Sequence, residues 1–124
     1  MTEGERFVEE IPRKTRFYDR NERRTYELTR AVAARLVDDP SLLQRGLSYM
    51  DRHMKDDPSQ ASFYATWLAL LRRDAKAVAR LLLEDTPNGA LLRDTQPVFC
   101  VLPAEDREKV LARARIDDAE IVVR

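Results

Sequence analysis

Apolar side chains recur at helical spacing through most of this chain. From about Asn21, the residues Tyr26, Leu28, Val32, Leu36 and Val37 form one stripe, and alanines at 31, 33 and 34 favour the helix, which should end at Asp38-Asp39. Asp39-Pro40 then offers a side-chain acceptor for orphan amides and a residue whose fixed φ suits a first turn. A second helix is predicted there, with Leu43, Leu47, Tyr49, Met50 and Met54 on its buried face. The same Asp-Asp-Pro-Ser punctuation returns at 56–59. Recurrent helix capping explains it better than a solenoid repeat, whose unit is usually about 33–47 residues.

A third helix, roughly Ser59 to Arg73, is the most apolar, with Phe63, Tyr64, Trp67, Leu68, Leu70 and Leu71 on more than one face. That pattern predicts the central helix of the fold. A turn near Asp74 separates it from a fourth helix, Ala75 to Glu84, carrying Val78, Leu81, Leu82 and Leu83. Thr86-Pro87-Asn88-Gly89 reads as a turn, followed by a short helical turn through Leu91 and Leu92.

Between Leu91 and Leu102 the pattern stops being helical without becoming polar. Pro97 and Pro103 bracket Val98, Phe99, Cys100, Val101 and Leu102, which predicts a buried plug in irregular or short extended form. Pro103 sets the first turn of a last helix, with Glu105 and Asp106 near its positive end and Arg113 and Arg115 near its negative end. The β-branched residues Ile116, Ile121, Val122 and Val123 leave two readings for residues 116–124, a docking strand or a frayed end. The fold class expected is all-α, a compact bundle of about five helices over residues 21–115.

Residues 1–20 differ. Their apolar members (Phe7, Val8, Ile11, Phe17, Tyr18) keep no sustained period, and Pro12 forbids one continuous helix, so an irregular arm is expected. Charge changes sign along it: Glu3, Glu5, Glu9 and Glu10 outweigh Arg6, then Arg13, Lys14, Arg16, Arg20, Arg23 and Arg24 outweigh Asp19 and Glu22. Lys plus Arg equals Asp plus Glu at 22 each, so the whole-molecule field gives no steering towards nucleic acid or anionic lipid. Local clusters must supply any electrostatic specificity. The arginines interleaved with Phe17 and Tyr18 could clamp phosphates and stack on bases, pair with an acidic protein surface, or simply lie solvated on the helices.

Composition sets further bounds. With 44% apolar and 35% charged residues in 124, the chain can bury a core without disulfide or metal. The single cysteine cannot form an internal disulfide, and nothing apolar enough for a signal peptide or a spanning helix precedes the first helix, which makes cytoplasm the expected compartment. One histidine and one cysteine do not make a usual zinc site, and Gly4, Gly46 and Gly89 are too far apart for a phosphate-cradling loop. No cofactor or metal is expected. Paired aspartates at 38–39, 56–57 and 117–118 are better explained by capping than by cation binding. Trp67 with Phe63 and Tyr64 reads as core rather than a ligand cage. Gly46, inside a helix at a cost of about 1 kcal/mol relative to alanine, implies close approach of a neighbouring helix. A Cys100–His53 nucleophilic pair requires the two to meet in space, and the apolar neighbours of Cys100 disfavour its thiolate.

Trp67-Leu68-x-Leu70-Leu71, Leu91-Leu92-Arg93, Pro97-x-Phe99-x-x-Leu102 and Asp106-Arg107 together resemble a family of small, uncharacterised bacterial helical proteins. The resemblance spans roughly Tyr26 to Arg115. The chain departs from it at Val98, between Pro97 and Phe99, and at Cys100, where glycine is more usual. The resemblance implies a compact helical domain encoded beside a toxin-like enzyme, acting as its antitoxin or accessory partner, and it implies no catalytic residue. The expected function is therefore non-catalytic protein binding, with Arg13, Arg16, Phe17, Tyr18, Arg20, Arg23 and Arg24 as the contact residues. A nucleic-acid-binding module using the same arm is the second reading, and a small enzyme using Cys100 and His53 the third. Homodimerisation stays open.

Overall fold

The computed structural model describes residues 1–122, with side chains as far as Arg115. Helices run α1 (Glu3–Glu9), α2 (Arg20–Asp38), α3 (Leu42–His53), a 3-10 turn (Pro58–Gln60), α4 (Ala61–Leu70), α5 (Ala75–Leu82), α6 (Pro87–Thr95) and α7 (Ala104–Val122). No strand occurs among the described residues. The all-α class stands, but with seven α-helices rather than five.

The two additional helices have local causes. Thr2 caps α1 through the Glu5 amide while Glu5 reaches back to the Thr2 amide, a reciprocal capping box. A helix of seven residues is too short to persist alone, and α1 survives by docking along α2. The Gly4 amide donates to Asp38 Oδ1 (2.8 Å), and a Cβ on Gly4 would lie 1.9 Å from the Ala34 carbonyl oxygen. Residues 3–9 are thus helix, not irregular arm. In α6, Thr86 accepts from the Gly89 amide (3.0 Å) and Pro87 occupies the first turn. The stretch read as a turn is an N-cap followed by proline at N1, the same chemistry as Asp-Pro. Both Asp-Pro-Ser sites do build one local structure. Asp39 accepts from the Ser41 amide (3.2 Å) and Asp57 from the Ser59 amide (3.0 Å).

α2, not α4, is the central helix: α1, α3, α5, α6 and α7 all pack on it. It and α5 form a wall between two core clusters. On one side Leu36, Val78 and Leu82 meet Leu42, Met50, Met54, Trp67, Leu92 and Phe99. On the other, Tyr26, Ala33, Ala34, Val37, Ala79 and Leu83 meet Val8, with Phe7, Ile11 and Phe17 packed against them. Of α4 only Trp67 is fully buried, its indole N–H donating to Thr95 Oγ1 (3.1 Å). The outer face of α4 is Ala61, Ala65 and Ala69, all exposed, and Phe63, Tyr64, Leu68 and Leu70 are only half-buried, so its large apolar residues belong to a peripheral helix rather than a central one.

Residues 96–103 form the non-helical segment that the prolines predict. Burial is only partial. Pro97 and Phe99 are inside, Phe99 edge-on to Trp67 (5.9 Å between centroids), whereas Val98 and Val101 face out. Gly46 makes room for the Phe99 ring, not for another helix. The last helix continues to Val122, so residues 116–122 are helix and not a docking strand. Arg113 and Arg115 consequently sit within α7 rather than in its final turn. Neither glycine nor proline follows Pro103 to stop the helix. Val123 and Arg124 lie outside the described residues.

Candidate partner-binding surface

The basic-aromatic stretch is held, residue by residue, against the start of α2. Pro12 ends helical continuation after α1, and the chain then runs back along α2 without regular structure. Arg13 pairs with the buried Glu27, and this partner raises the Arg13 pKa against the opposing effect of burial. The Lys14 amide donates to the Tyr26 hydroxyl (3.0 Å). The Lys14 ammonium reaches Asp85 Oδ1 (2.9 Å) and Glu22 Oε1 (3.4 Å), and the hydrogen bond to Asp85 raises its pKa above the ordinary lysine value. Phe17 lies on Tyr26 with ring centroids 5.5 Å apart. Lys14 and Arg23 place cations 5.5 and 5.4 Å from the Phe17 centroid. Finally the Tyr18 amide donates to Glu22 Oε2 (2.6 Å), and Asp19 caps α2 through the Glu22 amide (2.8 Å).

These contacts divide the seven predicted residues. Arg13, Phe17 and Arg23 are spent largely on anchoring, and Arg24 is half-buried on α2. Arg16, Tyr18 and Arg20 point outward, Tyr18 at 93% exposure. The segment is therefore not an arm waiting for a partner to order it. It is a loop already folded, presenting one aromatic ring between two guanidinium groups.

Beneath it lies a cleft of about 330 Å³ between Tyr18, Asn21, Ala90 and Asp94, with Arg93 in its wall. Arg93 is 3% exposed. Its Nη1 donates to the carbonyls of Leu82 and Glu84 (both 2.9 Å), satisfying the end of α5, and its guanidinium carbon sits 5.2 Å from the Tyr26 centroid. Burial lowers its pKa from the usual arginine value. The anchors of the loop (Lys14, Glu22, Tyr26, Glu27, Asp85) were not legible as a set. Tyr26 and Glu27 read simply as consecutive residues of one helix, and Asp85 is 71 positions from Lys14. Burial of an acid, Glu27, beside a tyrosine on a helical stripe was the one available signal.

Cys100 and His53 line one groove between α3 and the 97–103 segment. No hydrogen bond joins them. Burial pushes the Cys100 thiol up from its usual pKa, and the His53 ring lies tilted against Tyr49 with centroids 4.6 Å apart. Among the described residues no group of three His, Cys, Asp or Glu converges as metal ligands do, and no helix is long and apolar enough to cross a membrane. No family model matches the chain, and no curated protein or solved structure does either.

Proposed function

We propose that the chain is a non-catalytic protein-binding module of the cytoplasm, an antitoxin-like or accessory subunit, that meets its partner through Arg16, Tyr18 and Arg20. The observation that carries this reading is the exposure of Tyr18 on a loop whose backbone is already fixed by Lys14, Phe17 and Glu22. Tyrosine and arginine are the residues most often found at the energetic centre of interfaces. A pre-ordered loop binds without losing much conformational freedom, so the affinity of those three side chains is not offset by folding. Asp19, Glu22 and Asp94 line the cleft beneath Tyr18, which suits a protein surface of mixed charge better than a phosphate backbone.

The test is co-purification from the native host followed by mass spectrometry, with the wild-type chain and with Arg16→Ala/Tyr18→Ala/Arg20→Ala. A stoichiometric protein should accompany the wild type and be lost from the variant while the melting temperature stays put. Absence of any stoichiometric protein, or equal retention by the variant, overturns the proposal. Salt-sensitive retention of nucleic acid in its place would favour the module that binds DNA or RNA.

A further inference from the structure

A second surface lies on the other core cluster, in the groove of about 550 Å³ between α3 and the 97–103 segment. Val98, Phe99, Cys100 and Val101 line one side of it. Residues 96–103 run without turn or bend, and among the described residues no hydrogen bond reaches the backbone amides or carbonyls of Val98 to Leu102. Main-chain groups left unpaired in a non-helical stretch are able to pair with an added extended chain. Pro97 and Pro103, lacking amide protons, bound the stretch at both ends and limit pairing to the residues between them. Side chains along it suit an apolar contact: Val98 and Val101 are exposed, Val101 at 85%, while Phe99 points inward and anchors the segment.

The opposite wall is positive. Arg45 and Arg52 both line the groove from α3, both are exposed, and neither makes an ion pair among the described residues. Among the described residues no carboxylate lines the groove. Seven positions apart on a helix, the two guanidinium-bearing residues are about 10 Å apart along the axis. Same-face residues of a strand recur at about 7 and 13 Å, a spacing that long arginine side chains bridge from either direction.

We propose that this groove docks an extended acidic peptide of a partner protein, which adds its main chain to the Val98–Leu102 stretch and sets its carboxylates on Arg45 and Arg52. Pairing of main chain gives such a contact its affinity, and the two arginines select for acidic side chains. The site is separate from the Tyr18 loop and does not depend on the function proposed for it.

The probe is the peptide Ac-Glu-Val-Glu-Val-Glu-Val-NH2, titrated into the isotopically labelled chain and followed by amide resonances and hydrogen exchange. The amides of Val98 to Leu102 should shift and exchange more slowly, together with shifts at Arg45 and Arg52. Arg45→Glu/Arg52→Glu should weaken binding by at least about tenfold with an unchanged melting temperature. The same peptide N-methylated on alternate residues should not bind, nor should its Lys-Val counterpart. Shifts confined to α3 without protection of Val98 to Leu102 would show adsorption of an anion only and overturn the proposal. So would equal binding of the N-methylated peptide, equal binding of oligothymidylate, or no binding at all.

Discussion

Replacing Gly46 by alanine should destabilise this protein, although alanine is the better helix former. A Cβ at Gly46 would lie 2.5 Å from Phe99 Cε1 and 2.6 Å from Cδ1. Carbon atoms in ordinary contact sit about 3.5–4.0 Å apart, so the ring would have to retreat by about 1 Å. Its core neighbours oppose that retreat. Phe99 is 1% exposed and lies edge-on to Trp67 at 63°, within the cluster that also holds Met50 and Leu82. Overpacking of this kind costs about 1–3 kcal/mol, and the overlap with an immobile ring argues for the upper half of that range. Against it stands a gain of about 1 kcal/mol from helix propensity. The net expectation is a loss of about 1–2 kcal/mol, or about 3–10 °C in melting temperature for a chain of this size.

The assay is equilibrium urea unfolding read by far-ultraviolet circular dichroism and by fluorescence of Trp67, the sole tryptophan. Phe99→Leu supplies the decisive background, because it removes the ring edge that the new methyl meets. There Gly46→Ala should change sign and stabilise by about 1 kcal/mol, the propensity gain alone, giving a coupling of about 2–3 kcal/mol between the two sites. If Gly46→Ala raises stability with Phe99 intact, or costs the same in both backgrounds, the steric account is wrong.

Gly4→Ala meets the backbone carbonyl of Ala34 at 1.9 Å rather than a side chain, so α1 should lift from α2, and trypsin should then cleave after the exposed Arg6 faster than in the wild type. Unaltered cleavage would mean that the two helices separate cheaply. Arg93→Ala removes both Nη1 hydrogen bonds to Leu82 and Glu84 and the stacking on Tyr26, and should lower stability by about 2–4 kcal/mol, seen as a lower urea midpoint; an unmoved midpoint would refute the capping role. Phe17→Ala should cost about 1–3 kcal/mol, whereas the adjacent Tyr18→Ala should stay within about 0.5 kcal/mol of wild type, and comparable losses at both positions would contradict the division of the loop into anchor and contact. For Cys100, burial raises the thiol pKa, so the group adds stability below the pKa of a free thiol, about 8.5, and loses it as pH rises through the folded value. The pH midpoint for alkylation by iodoacetamide should accordingly lie above 8.5 or so, and a lower midpoint would point to an activated nucleophile.

Helices α2, α3 and α5 were legible because their apolar spacing and their Asp or Pro starts agree, and the start of α7 because Pro103 and the acidic residues after it suit a first turn, although its full length was not. α1 was not, since its two apolar residues make no stripe and its stability comes from Ala34 and Asp38 of another element. Its capping box at Thr2 and Glu5 was the readable sign. The apolar character of α4 was legible and its location was not. Periodicity measures contrast between faces, and a helix with aromatic rings and leucines around most of its surface and alanines on the rest shows little contrast whether it is central or peripheral. For the candidate surface, sequence composition marked the right stretch but could not separate Phe17 from Tyr18. That distinction depends on Tyr26, Glu22 and Asp85, which only the fold brings together.

The two-sided core explains why the molecule can present two surfaces without one disturbing the other. Tyr26, Ala33 and Val37 of α2 support the cluster under the Tyr18 loop, while Leu36 of the same helix supports the cluster under Phe99 and the α3 groove. α5 divides likewise, with Ala79 and Leu83 to one side and Val78 and Leu82 to the other. A side chain on α2 or α5 therefore acts chiefly on one cluster. Changes made more than about 7–10 Å apart without shared partners add, so damage under the loop should leave the groove's affinity unchanged, and the reverse. Loss of α2 as a whole is different: it removes the wall common to both, and neither surface has a core to rest on.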